Sequence, residues 1–115
     1  MTLEYSRLEQ LFVNDIVKQV DEIERLTSEL SELTVQTIDK GLAQRLEWSL
    51  TTIALAVSLV NKTRPKTIEK VRKITGMDFR ELEKELYSKE RQSLTEELLQ
   101  AIKNVSKLKQ VFLEE

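Results

Sequence analysis

The stretch from Trp48 to Val60, WSLTTIALAVSLV, holds no charged residue, and its apolar positions surround a helical wheel instead of forming one stripe. A helix of that kind belongs in the middle of a protein core or a bilayer. Crossing hydrocarbon takes roughly 20 apolar residues, and this run falls well short. It is therefore read as a core helix. Trp48, at its edge, is expected to bury its ring while the indole N–H finds a partner. The rest of the chain is amphipathic or charged, as elements wrapped around such a helix should be.

With only two Gly and one Pro, the chain lacks the turn formers that a β fold needs. The fold class is all-α: a helical bundle in which a long antiparallel helix hairpin is joined by two or three shorter helices. A length of 115 residues suits one domain spanning residues 1–115.

Leu8, Phe12, Ile16, Val20, Ile23, Leu26, Leu30 and Leu33 recur at spacings of three and four, and predict a first helix about 45 Å long if it continues to Leu33. Its seam is irregular and covers under three heptads, so it reads as a bundle helix and not as a free coiled coil. Val13 and Val17 widen the apolar side beyond what one neighbour needs, which implies a partner. The pattern weakens at Thr34–Thr37, where a break lets the chain fold back, with Thr37 or Asp39 as the next N-cap. Ile38, Leu42, Leu46, Leu50, Ile53, Val57 and Val60 then form the second stripe. Pro65 ends it, with Thr63 as the expected cap of a short third helix that Gly76 closes. Asp78, with Glu81 three residues on, restarts a helix whose apolar face is Phe79, Leu82 and Leu86, with Tyr87 as a further candidate. Ser93 and Glu96 make a second capping-box pattern before a last helix with Leu94, Leu98, Ile102, Val105, either Leu108 or Lys109, and Phe112.

The chain has no Cys and no His. Disulfides, thiolate metal sites and cysteine nucleophiles are excluded, as are Ser-His-Asp triads and the His-containing ligand sets of common zinc and bundle di-iron sites. No Gly-rich phosphate loop occurs, and no carboxylate pair stands out for acid–base work. The expectation is a protein that is no enzyme and carries no cofactor or metal. MTLEYSRLEQ contains acidic residues and no apolar core, unlike a secretory signal, so a cytoplasmic location without membrane insertion is expected.

Charge is unevenly spread. Lys62, Arg64, Lys66, Lys70, Arg72 and Lys73 stand against Glu69 alone, a local +5 in a chain of net charge −2. Lys66, Lys70 and Lys73 share one helical face, with Ile68, Val71 and Ile74 on the other. Such a face either meets the acidic first helix of the same chain, keeps a surface solvated, or grips the phosphates of a nucleic acid. Residues 67–86 also resemble a helix-turn-helix, with Gly76 at the turn and Val71, Met77 and Leu82 at its apolar positions. The resemblance departs at Arg72, where a small residue is usual, and in the second helix, where Arg80 and Lys84 face Glu81, Glu83 and Glu85. An ordinary helix corner accounts for it. The functional expectation is a helical interaction or adaptor protein, self-associating or bound to a protein partner. Nucleic-acid binding through the basic segment is the alternative.

Overall fold

Asp39 opens the central helix by accepting the Leu42 N–H on its carboxylate at 2.9 Å. In the computed structural model, which describes residues 6–27, 34–88 and 94–113, the elements are α1 (Arg7–Leu26), α2 (Lys40–Thr63), α3 (Thr67–Thr75), α4 (Phe79–Leu86), α5 (Glu96–Asn104), a 3-10 turn (Val105–Lys107) and α6 (Leu108–Phe112). Among the described residues there is no strand, and the all-α bundle is the architecture observed.

α1 and α2 run antiparallel. Glu9 in the first turn of α1 meets Thr63 and Arg64 at the end of α2, while Glu22 and Leu26 share a groove with Gly41, Arg45 and Trp48 at the other end. Val13, Ile16, Val20 and Ile23 are buried against Leu46, Leu50, Ile53, Val57 and Val60. The second stripe thus lies where its periodicity placed it, apart from Ile38 and Leu42, which are half-buried at the hairpin end. Phe79 of α4, Leu98 and Ile102 of α5 and Leu108 of α6 complete the core with no measurable exposure. Lys109 of α6 reaches across to α1, 2.6 Å from Asp21 and 2.9 Å from Glu24. The bundle therefore closes around α2 from several sides.

Several local expectations are corrected. α1 stops at Leu26: Thr27 leaves helical geometry (φ −137°, ψ 66°), and its hydroxyl donates back to the Ile23 carbonyl at 2.5 Å, a local bond with which Thr competes against helix continuation. Leu30, Leu33 and Ser93 lie outside the described residues. Thr63 does not cap α3, because its hydroxyl donates to Glu9 instead. Asn61 serves that end, its side-chain oxygen accepting the Ile68 N–H at 3.0 Å. Asp78 caps α4 through the Arg80 N–H, but Glu81 pairs with Lys84 at 3.6 Å. Thr95 is the N-cap of α5, accepting from the Leu98 N–H at 3.2 Å. The last helix is not continuous, since three residues of 3-10 geometry separate α5 from α6; its named apolar residues are nonetheless buried.

Candidate interaction surfaces

α2 is not enclosed on every side. Trp48 is 73% exposed and Leu55 50% exposed, so the expected burial of the indole and of the whole uncharged run is overturned. The neighbours of α2 explain this. α1 covers one flank and α4 another, with Ser58 of α2 donating to Glu83 of α4, and nothing described covers the row through Trp48, Thr52, Leu55 and the half-buried Leu59. At 3.6 residues per turn these four fall within about 60° of arc on the helix.

α1 adds a parallel row. Leu8 and Leu11, 61% and 57% exposed, lie on the same side of α1 as Glu22, within about 60° of arc by the same geometry. Lys18, Gln19 and Glu22 line one groove with Trp48 and Arg45, which places both rows on one side of the hairpin. The result is a two-helix face with Trp48 near one end, Leu8 and Leu11 toward the other and Leu55 between them. Leu8 was expected in the core stripe, but the α1 seam begins instead with Glu9 and Val13. Exposed leucines and a tryptophan grouped in this way are an unusual surface for an isolated domain.

Glu9 explains why the seam shifts. Ser6 and Glu9 form a reciprocal capping box, Ser6 N–H to Glu9 Oε1 at 2.9 Å and Glu9 N–H to Ser6 Oγ at 3.2 Å. Glu9 Oε2 also accepts from the Thr63 hydroxyl at 2.5 Å and from Arg64 Nε at 3.1 Å. The Thr63 hydrogen bond, followed by the Ser6 backbone N–H and with a smaller contribution from the Arg64 charge, holds this carboxyl down to about 2. A buried charge is tolerable when its oxygens are satisfied in this way.

The basic segment divides. Arg64 is spent on Glu9 and leaves the cluster. Lys62, Lys66, Lys70, Arg72 and Lys73 are exposed, and among the described residues no carboxylate comes within ion-pairing distance of any of them. The acidic first helix is therefore not their partner, save through Arg64; α1 directs Asp21 and Glu24 to Lys109 instead. Thr67, Val71 and Thr75 form the buried side of α3, with Ile68 and Ile74 half-buried. Gly76 ends α3 in the left-handed region (φ 75°, ψ 7°), and Val71, Met77 and Leu82 are buried beneath the turn. α3 and α4 thus meet at a glycine-ended corner, and Arg72 is exposed.

One cleft of about 790 Å³ lies between α4 and α5, floored by Met77, Leu82 and Ala101 and rimmed by Glu81, Glu85 and Glu97. Among the described residues, no group of three metal-ligating side chains converges there or elsewhere, and no helix is long and apolar enough to cross a membrane. No family model matches the chain, and neither a curated protein nor a solved structure is detectably similar to it. Fold and surface define its class as an all-α bundle that presents, among the described residues, an exposed apolar face and an exposed basic face.

Proposed function

We propose that this chain is a non-enzymatic, cytoplasmic interaction protein that self-associates through the open face of the α1–α2 hairpin. The observation that carries the reading is the grouping of Leu8, Leu11, Trp48 and Leu55, each at least half exposed, on one side of two adjacent helices. The favoured occupant is a second copy. The face is about 20 Å long from Leu8 to Glu22 at 1.5 Å per residue. An aromatic side chain brings about 150–250 Å² to an interface. With the leucines, Thr52 and the half-buried Phe12 and Leu59 around it, the face supplies much of the roughly 800 Å² per partner of a standard interface.

Its ends are also complementary. A two-fold axis through the middle lays the Trp48 of each copy on the leucine cluster of the other, the arrangement an isologous dimer requires. The absence of His and Cys supports the non-enzymatic part.

Trp48 is the only tryptophan, so its fluorescence reports on the face directly. Dilution should shift its emission from buried to solvent-exposed character while sedimentation velocity records dimer passing to monomer. Leu11→Glu with Leu55→Glu should give a folded monomer with red-shifted emission at every concentration. A wild-type chain that stays monomeric, with exposed emission up to its solubility limit, refutes the proposal.

A further inference from the structure

We infer that the solvent face of α3, extended by Lys62 at the end of α2, docks on the phosphate backbone of duplex nucleic acid. This surface is separate from the hairpin face and independent of self-association.

Geometry comes first. Lys66, Lys70 and Lys73 lie within about 60° of arc, on the opposite side of α3 from buried Val71. Arg72 flanks them, and Glu69 is the one acid on the helix. Along the axis the three lysines are rooted about 6 and 4.5 Å apart at 1.5 Å per residue. Unlike Arg64, these cations are exposed without any described carboxylate as partner. Among the described residues their charge, concentrated in a chain of net negative charge, is therefore not paired with any carboxylate.

The chemistry of the surroundings selects the partner. A bilayer-binding helix needs apolar side chains to sink below the headgroups, but here Val71 is buried and Ile68 and Ile74 are half-buried beneath the cations. A single-strand binder needs aromatic platforms for the bases, and α3 has none. What remains is a row of flexible point charges, suited to a duplex that presents one phosphate charge per roughly 1.7 Å of axis. Base reading is not part of it. α4, in the position of a recognition helix, would bring Glu81, Glu83 and Glu85 toward the groove beside Arg80 and Lys84, so contact is made by α3 and is indifferent to sequence.

The magnitude follows from counterion release. Four lysine–phosphate contacts give a slope of log K against log salt near −3.6, so affinity falls about 150-fold between about 50 and 200 mM salt. The test titrates the wild-type chain and a K66Q/K70Q/K73Q variant into labelled duplexes of two unrelated sequences, with phosphatidylserine vesicles and polyglutamate as competitors. The variant should keep its helical circular dichroism, bind far more weakly and lose about three-quarters of the slope; K66R/K70R/K73R should retain the slope. No duplex binding at low salt overturns the inference, as does binding whose slope the glutamine variant does not change. Equal competition by vesicles or polyglutamate overturns it in favour of a membrane or an acidic protein.

Discussion

The two glycines should respond to alanine in different ways, and the structure sets both magnitudes. Gly76 holds φ at 75° to end α3, and a Cβ placed there meets nothing within 4 Å. The cost of Gly76→Ala is thus free of steric clash and is the backbone penalty of an L-residue in left-handed geometry, roughly 1–2 kcal/mol. Unfolding entropy of about 2.1 cal/mol/K per residue amounts to about 240 cal/mol/K over 115 residues. The melting temperature should therefore drop by about 4–8 °C, with the urea midpoint falling at unchanged slope. Gly76→Asn should lose less, since Asn tolerates this region.

Gly41 lies in the first turn of α2, where alanine gains up to about 0.5–1 kcal/mol of helix propensity. Its Cβ would stand 3.3 Å from Asp39 Oδ1, the oxygen that caps Leu42, and displacing that carboxylate gives back part of a cap worth about 0.5–2 kcal/mol. Gly41→Ala should then fall within about 0.5 kcal/mol of neutral, from the near-cancellation of those two effects. Equilibrium urea unfolding of the three variants decides the matter. A Gly76→Ala protein as stable as wild type, or one more stable than Gly41→Ala, would refute the reasoning.

Other perturbations follow from burial and charge. Leu50→Ala, at a site with no exposure, should cost about 2–5 kcal/mol, whereas Leu55→Ala, half exposed five residues later, should cost under about 1 kcal/mol in the monomer by lost apolar area; chemical denaturation at low protein concentration separates them. Glu9 has its carboxyl lowered from 4.5 to about 2, so it contributes stability above the unfolded value that is lost as pH falls from about 4.5 through 2. Glu9→Gln should flatten that acid limb in pH-dependent unfolding and leave the alkaline limb unchanged. Lys109 is raised above its usual 10.5 by its hydrogen bonds to Asp21 and then Glu24. Its contribution is complete below 10.5 and is lost as pH climbs through the higher folded value. Lys109→Met should remove that alkaline dependence and weaken protection from hydrogen exchange in α6.

Much of the fold was legible in the sequence because it depends on local periodicity. Leu46, Leu50, Ile53, Val57 and Val60 repeat as a buried stripe must, and Asp39, Gly76 and Asp78 mark helix ends by chemistry that acts within a turn or two. Trp48 and Leu55 were not legible. A helix apolar on all sides does not say which side its neighbours leave open, and that depends on where α1 and α4 come to rest. Glu9 was equally hidden, since Thr63 and Arg64 lie 54 and 55 positions away. That contact takes Arg64 out of the basic segment, moves the α1 seam and leaves Leu8 outside. Lys66, Lys70 and Lys73 could be placed on one face from their spacing alone, but their lack of a carboxylate partner among the described residues required the positions of the acids. The 3-10 turn at Val105 carries no Gly or Pro to announce it.

The clasp between α1 and α6 has a consequence for synthesis on the ribosome. Glu24 is joined to Lys109 across 85 positions, and Ser106 donates to the same carboxylate at 2.7 Å. At roughly 5–20 residues per second, α1 emerges several seconds before the segment that covers its outer flank. During that interval α2 and the elements that follow it can already pack, but the flank of α1 that carries Asp21 and Glu24 lacks its α6 partner. Closure of that flank therefore waits for α6 to emerge, however early the hairpin forms.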